Sequence, residues 1–204
     1  MGLPEADPFG AAAVVAAFDV QAHRGGAGLR PENTLAAFGH ALELGVTTLE
    51  CDVHLTRDGV PVVTHDRQLQ GARNRDTAAA TKGDPDHPYV GGYLSRLSWA
   101  QVQTIDAGSV AHLDHPRQQT VPGARMPRLE EVFALLADRG ADTVGVNVET
   151  KFDVVAPEES APRERFVEVV AAAAGAAGML ERTSVQSFDW GLLRLMREHE
   201  PRLR

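Results

Sequence analysis

The stretch LECDVHLTRDGVPVVTHD, residues 49 to 66, decides the fold because it combines two strand patterns with a turn signal. An Asp-Gly pair at 58 and 59 separates the two patterns, which predicts a strand, a tight turn and a second strand. Side chains alternate across a strand, so Glu50 and Asp52 share one face while Cys51 points to the other. We therefore expect a β-hairpin that carries two neighbouring carboxylates.

The segments on either side of this hairpin alternate between strand and helix patterns. Residues 18 to 22 form a short apolar run, and residues 34 to 45 have apolar positions at helical spacing, with Asn33 or Thr34 as the N-cap. The second half predicts helices at 127–140, with Pro127 in the first turn, and at 161–178, strands at 143–151 and 183–188, and a last helix from residue 190. Such alternation is typical of a parallel α/β sheet with crossover helices.

Residues 67 to 125 differ from the rest because they are rich in Gly, Pro, Asp, Gln and Arg and have few periodic apolar positions. We expect a long loop or insertion with one short helix within residues 97 to 108. The chain is then a single domain, residues 1 to 204, with five strands and an insertion after the third. An eight-stranded (β/α)₈ barrel takes about 250 residues, so either a smaller open sheet or an incomplete barrel is predicted.

The composition disfavours several classes of partner. The net charge of -8 argues against a nucleic-acid or anionic-membrane surface, because either needs a basic face. No segment approaches the roughly 18 apolar residues of a spanning helix, so stable membrane insertion is not expected. The acidic start lacks the positive flank of a secretory signal, and one cysteine needs no oxidising compartment. We expect a cytoplasmic protein with a small-molecule partner, unless a misassigned start codon hides an export signal.

Two pairs of polar residues predict a cation site. Glu50 and Asp52 are two apart on one strand, and Glu149 and Lys151 repeat that spacing on a later strand. Neighbouring carboxylates repel each other unless a cation lies between them or one is protonated. If the two strands share one sheet, the three carboxylates form an all-oxygen site for one divalent cation, Mg²⁺ or Ca²⁺. Lys151 would lie beside it as a phosphate partner.

Two histidines are candidates for acid and base. His23 and His65 each follow a predicted strand, and sites in parallel α/β sheets form at the carboxyl ends of strands. Imidazole exchanges protons near neutral pH, and Arg24 adds a guanidinium that fits a phosphate. Each residue alone has an ordinary structural explanation, which we adopt for five other histidines: His40, His87, His112, His115 and His199. Their joint occurrence favours metal-assisted phosphodiester chemistry.

Six motifs in order resemble one family. They are HRG (23–25), RPENT (30–34), LECDVHLTRDG (49–59), VVTHD (62–66), VETK (148–151) and QSFD (186–189), and they are similar to those of the glycerophosphodiester phosphodiesterases. The resemblance implies a (β/α)₈ barrel with residues 67 to 125 inserted over its mouth. It implies that His23 and His65 are the acid/base pair. It also implies that the metal ligands are Glu50, Asp52 and Glu149, and that the phosphate contacts are Arg24 and Lys151.

The resemblance also implies a reaction and a departure from the family pattern. The reaction is metal-dependent hydrolysis of a glycerophosphodiester to sn-glycerol 3-phosphate and an alcohol. Members of the family continue through three more strands, whereas this chain ends after the fifth, so a C-terminally incomplete barrel is expected. Two alternatives remain: a phosphodiesterase for lysophospholipids or sphingolipids on the same scaffold, and a non-catalytic phosphate-binding fragment.

Overall fold

A five-stranded sheet forms the centre of the molecule, and four of its strands are parallel. The computed structural model describes residues 18 to 204, and the interpretation of the first 17 residues as lacking a signal lies outside that range. The strands are β1 (Gln21–Ala22), β2 (Thr48–Leu55), β3 (Pro61–Val63), β4 (Gly145–Thr150) and β5 (Thr183–Gln186). The helices are α1 (Leu35–Glu43), α2 (Trp99–Val102), α3 (Leu129–Asp138), α4 (Arg163–Ala176) and α5 (Trp190–His199).

The strand order is that of consecutive β/α units. The parallel strands are ordered β1-β2-β4-β5, and β3 runs antiparallel to β2 as the second arm of the predicted hairpin. The sheet does not close, because within residues 18 to 204 strands β1 and β5 each pair with a single other strand. At the free edge of β5, the backbone of Arg204 forms hydrogen bonds with Thr183 and Val185. The predicted α/β fold with an incomplete barrel of five strands is confirmed.

Several element boundaries differ from those predicted. The first strand is limited to residues 21 and 22, because residues 18 to 20 are exposed and lie beyond the register with β2. Helix α1 begins after Thr34, whose hydroxyl accepts a hydrogen bond from the Ala37 backbone N–H at 3.2 Å. This geometry selects Thr34 over Asn33 as the N-cap.

The prediction of Pro127 in the first turn of a helix is wrong. Helix α3 begins at Leu129, because Arg128 is extended and forms an antiparallel bridge with Val62 of β3. The Pro127 carbonyl accepts a hydrogen bond from the Val63 backbone N–H at 2.8 Å. The capping interaction comes instead from Glu131, whose carboxylate accepts from the Arg128 backbone N–H at 2.8 Å.

The main core lies between the sheet and the helices. Leu49, Cys51 and Val53 of β2 are fully buried on the face of the sheet that packs against the helices. The alternate residues of β2 therefore project from the opposite face, as predicted for its two carboxylates. None of the helices within residues 18 to 204 combines the length and apolar character needed to cross a membrane.

Residues 67 to 125 contain a small core of their own, which the sequence did not predict. Eight buried side chains form it, six from the segment and one each from the flanking strand and loop: Leu69, Tyr89, Leu94, Leu97, Val102 and Ile105, with Val62 and Met126. Only one α-helix, α2, forms here, within the predicted residues 97 to 108. Spacing alone does not reveal this core, because its members come from turns and extended segments rather than from one periodic element.

Candidate active site

Three carboxylates converge on the face of the sheet opposite the helices. Glu50 and Asp52 project from β2 and Glu149 projects from β4, where it is the register partner of Asp52. All three are buried, and each offers an oxygen within 4.8 Å of the others. The structure thus brings together the three predicted metal ligands.

Lys151 joins two of these carboxylates. It lies one residue beyond β4, with its Nζ 2.9 Å from Asp52 Oδ1 and 2.6 Å from Glu149 Oε1. Gln186 of β5 donates a hydrogen bond to the other oxygen of Glu149 at 3.1 Å. The predicted phosphate-binding lysine is therefore at the acidic cluster, where it offsets part of the negative charge.

Arg24 reaches the cluster from the loop after β1. Its backbone N–H donates to Glu50 Oε2 at 2.6 Å, and its guanidinium Nε lies 3.3 Å from Asp52 Oδ2. The backbone of Arg24 is left-handed, with φ of 52°, a conformation uncommon for a residue with a side chain. Gly25 follows with φ of 76°, and a Cβ on it would lie 2.8 Å from that of Ala37. Only glycine allows the loop to approach helix α1 this closely.

Asn33 is a site residue that the sequence analysis missed. It is also left-handed, with φ of 56°, and its side chain exchanges two hydrogen bonds with Asp52. The amide Nδ2 donates to Asp52 Oδ2 at 2.8 Å, while Oδ1 accepts from the Asp52 backbone N–H at 3.2 Å. Its backbone N–H also donates to the Arg24 carbonyl at 2.9 Å. Asn33 was considered only as a helix cap, although it belongs to the RPENT motif.

The carboxylates differ in protonation tendency. Burial raises the pKa of Glu50 to about 7, with a further rise from Asp52 and Glu149, despite the opposing hydrogen bond from the Arg24 backbone. Burial alone would also raise the pKa of Asp52, but the ammonium group of Lys151 and the amide of Asn33 lower it overall. Glu50 Oε1 is buried and accepts no hydrogen bond within the described part of the chain, whereas Asp52 Oδ1 faces the ammonium group of Lys151. Buried carboxylate oxygens of this kind fit a hard cation.

His23 lies beside the acidic cluster at the end of β1. Its Nε2 is 4.0 Å from Glu50 Oε2, and 69% of its side chain is exposed. It borders a cleft of about 380 Å³ together with Arg24, Glu32 and His115. His115, interpreted from the sequence as an ordinary structural or surface histidine, therefore faces the same cleft as His23.

His65 reaches the site by a different route from the one predicted. The argument from the carboxyl ends of parallel strands is wrong for it, because β3 is antiparallel. β3 returns along β2, and the Thr64 backbone N–H donates to the Asp52 carbonyl at 2.9 Å, which brings the chain back to the acidic cluster. His65 borders a second cleft, of about 460 Å³, together with Lys151, Phe152 and Phe188.

Two further missed residues contact His65. The ring Nδ1 of His65 lies 2.9 Å from Asp66 Oδ1. The Nε2 of the buried His54 lies 3.1 Å from the His65 carbonyl oxygen. Burial lowers the pKa of His54 to about 4, so its neutral ring donates to that carbonyl. His54 follows Glu50 and Asp52 at the same two-residue spacing, a signal that could have placed it on their face.

Comparison with known proteins identifies one family. Residues 23 to 204 match the model of the glycerophosphoryl diester phosphodiesterase family. A glycerophosphodiester phosphodiesterase of Caldanaerobacter subterraneus subsp. tengcongensis is 35% identical over 136 residues, which cover 67% of this chain and 46% of that protein. The chain thus spans about half the length of this relative.

Solved structures support the same assignment. The crystal structure of a putative glycerophosphoryl diester phosphodiesterase from Silicibacter pomeroyi has a TM-score of 0.77 and 33% identity, over 91% of this chain and 62% of that one. An Oleispira antarctica phosphodiesterase, in complex with the product sn-glycerol-3-phosphate, shares the fold with a TM-score of 0.65 and 24% identity, over 91% and 64% of the two chains. The chain belongs to the glycerophosphoryl diester phosphodiesterase family.

Proposed function

We propose that this chain carries the active site for metal-dependent hydrolysis of glycerophosphodiesters to sn-glycerol 3-phosphate and an alcohol. The observation that carries the proposal is the convergence of Glu50, Asp52 and Glu149 next to Arg24 and Lys151. Family membership supports the same reaction class. The proposal assigns the cluster to one divalent cation, Mg²⁺ or Ca²⁺.

The donor set fits such a cation. All three candidate ligands are carboxylates, the ligand type that hard cations prefer, and the buried Glu50 Oε1 accepts no hydrogen bond within residues 18 to 204. A bound cation would neutralise phosphoryl oxygens and lower the pKa of a coordinated hydroxyl group. Glu50, Asp52 and Glu149 would hold it, with Asn33 fixing the orientation of Asp52.

Arg24 and Lys151 would bind the phosphate. Both place cationic groups at Asp52, and each also lines one of the two clefts that contain the histidines. The guanidinium of Arg24 can donate to phosphate oxygens in a planar fork, and Lys151 acts as a compact positive charge. Their contribution is largest where negative charge develops on phosphorus in the transition state.

His23 and His65 would act as the acid/base pair. One of them deprotonates the nucleophile, which is either the glycerol hydroxyl group or water, and the other protonates the leaving alcohol. Each borders a cleft that opens to solvent beside a phosphate-binding residue, His23 with Arg24 and His65 with Lys151. A phosphodiester bound by both cations would extend toward both clefts and so toward both histidines.

The proposal is tested by release of glycerol 3-phosphate from glycerophosphocholine in the presence of Mg²⁺ or Ca²⁺. We expect cation-dependent release by the wild type and loss of release in a Glu50→Gln, Asp52→Asn variant. Glu130→Gln removes an exposed carboxylate from helix α3 and is the matched control. Equal release by the double variant and by the control would exclude the metal role.

A lysophospholipid phosphodiesterase is the second candidate, and one observation favours it. The cleft beside His65 has an apolar wall of Phe152, Val154 and Phe188, and Phe188 is 83% exposed. An acyl chain could lie against this wall, which comes from residues outside the 67 to 125 segment. Release of lysophosphatidic acid from lysophosphatidylcholine, faster than release of glycerol 3-phosphate from glycerophosphocholine, would favour this candidate.

A non-catalytic phosphate-binding fragment is the third candidate. Binding of Ca²⁺ and glycerol 3-phosphate with no release from either phosphodiester would support it.

The assignment to the cytoplasm stays a prediction, as does a small-molecule substrate rather than nucleic acid.

A further inference from the structure

A continuous chain of charged side chains connects His65 to Arg24. His65 Nδ1 lies 2.9 Å from Asp66 Oδ1, and the other oxygen of Asp66 accepts from the guanidinium of Arg73 at 2.7 Å. The same nitrogen of Arg73 donates to Glu32 Oε1 at 3.3 Å. Glu32 in turn accepts from Arg24 Nη1 at 3.2 Å. The chain therefore joins a candidate acid/base residue to a candidate phosphate-binding residue.

The contact with Asp66 fixes the tautomer of His65. An ionised carboxylate can only accept hydrogen bonds, so Nδ1 must carry the proton of this contact. Burial tends to raise the pKa of Asp66, but its contacts with His65 and Arg73 lower it overall and keep it ionised. The neutral ring then has its lone pair on Nε2, the atom that is free to exchange a proton with a substrate. The backbone of His65 is held separately by His54.

Arg73 is held in place by the 67 to 125 segment. Its backbone N–H donates to the Gln70 carbonyl at 2.9 Å, and the next residue, the buried Asn74, donates to the same carbonyl. One terminal nitrogen of Arg73 lies between the carboxylates of Asp66 and Glu32. Without this guanidinium, the two carboxylates would lose the cation that they share, and Glu32 would keep Arg24 and Asp66 would keep His65 as their partners.

Glu32 connects Arg73 to Arg24 and helps to fix the position of the Arg24 guanidinium. The guanidinium of Arg24 lies between Glu32 on one side and Asp52 on the other. Because the Arg24 side chain is mostly buried, it has few alternative positions in which its charge is paired. The position of Glu32, and through it that of Arg73, thus influences where Arg24 presents its charge.

We propose that Arg73 is a positioning residue of the active site, which orients the His65 ring through Asp66 and the Arg24 guanidinium through Glu32. The 67 to 125 segment then supplies the central cation of a bridge between the two loops that carry these residues. An ordinary stabilising ion pair would affect the free energy of unfolding but neither the tautomer of His65 nor turnover in the folded protein.

The first test reports the tautomer and needs no turnover. In ¹⁵N-histidine NMR at alkaline pH, where imidazoles are neutral, we expect His65 to carry its proton on Nδ1, with signals assigned by their loss in His65→Asn. Asp66→Ala should shift His65 toward the Nε2–H form, and Arg73→Gln should give a mixture of both. An Nε2–H tautomer in the wild type, or a tautomer unchanged in Asp66→Ala and Arg73→Gln, would overturn the proposal.

The second test measures turnover and rests on the proposed function. We expect kcat of Arg73→Gln to fall about 10- to 100-fold, the usual effect of removing a residue that orients a site group, with little change in KM. Arg73→Lys should recover part of the loss, since it keeps the charge but loses the planar fork. Arg117→Gln, which removes an exposed arginine from the same segment, is the control.

The two tests distinguish a failure of the positioning role of Arg73 from a failure of the proposed function. A folded Arg73→Gln variant that turns over as fast as Arg117→Gln would refute the positioning role, and circular dichroism establishes that it is folded. A wild type without turnover would contradict the proposed function alone, because the tautomer of His65 is still measured in the NMR experiment.

Discussion

Asp52 and Glu149 are register partners on the neighbouring parallel strands β2 and β4, and Lys151 Nζ lies within 2.9 Å of one oxygen of each. Neighbouring carboxylates at this spacing repel each other, so the ammonium group stabilises the pair in the absence of another cation. In the proposed function, the same group would also bind the phosphate. Lys151→Met would remove both this ion pairing and the contact with the phosphate.

Lys151→Met should abolish most turnover. The variant loses a cation that stabilises charge on phosphorus, and removal of one such group costs about 100- to 1,000-fold in kcat. The measurement is the rate of glycerol 3-phosphate release at saturating substrate. The other lysine of the chain, the exposed Lys82, provides the control variant Lys82→Met. A kcat for Lys151→Met equal to that of the control would show that Lys151 does not act on the phosphate.

Gly25→Ala should destabilise the fold through the loop that carries Arg24. The residue has φ of 76°, and an added Cβ would lie 2.8 Å from Ala37 Cβ and 2.9 Å from Phe38 Cδ1. Left-handed strain alone costs about 1 to 3 kcal/mol, and the steric overlap adds to it. Gly26→Ala is the control, because Gly26 has a similar φ of 89° but a Cβ added there would meet nothing within 4 Å. Urea denaturation should show a larger loss for Gly25→Ala; equal losses would mean that the contact with helix α1 is unimportant.

Asp189→Asn should lower stability at neutral pH but not in acid. Asp189 caps helix α5 by accepting from the Leu192 backbone N–H, and its hydrogen bonds from Arg163 lower its pKa despite burial. A carboxyl group whose pKa is lower in the folded state contributes stability at pH values above its unfolded pKa, about 4, and loses that contribution as the pH falls. Asparagine keeps the cap but removes the charge.

The measurement is the free energy of unfolding of wild type and Asp189→Asn over a series of pH values. The difference between them should shrink toward zero as the pH falls through the folded-state pKa. Asp189→Ala should lose a further 0.5 to 2 kcal/mol or so at every pH, because it also removes the cap. The exposed Asp142→Asn serves as the control. A wild-type advantage that stays constant into acid would contradict the ionic origin.

Much of the site could be predicted from local patterns. The two-residue spacing of Glu50 and Asp52 fixed their common face, because alternation along a strand is a local rule. Adding Glu149 required the assumption that its strand shares the sheet, which the β2–β4 register confirms. The catalytic, metal-binding and phosphate-binding roles of these residues stay predictions, as does the single-domain organisation of residues 1 to 204.

The features that were missed depend on tertiary structure. The left-handed backbone of Arg24 and Asn33 leaves no mark in a hydrophobic pattern, yet it lets both residues reach Asp52. The contact of Arg73 with Asp66 forms only when the segment after β3 folds back on the site. The reason given for placing His65 near the cluster was wrong, since the chain returns there through an antiparallel strand.

The most direct test of the central claim is calorimetric titration of the protein with Ca²⁺ and Mg²⁺. We predict one binding site per chain for at least one of these cations in the wild type and in Glu130→Gln, and no binding in the Glu50→Gln, Asp52→Asn variant. Binding by the double variant with wild-type affinity would contradict the assignment of Glu50, Asp52 and Glu149 as the cation site.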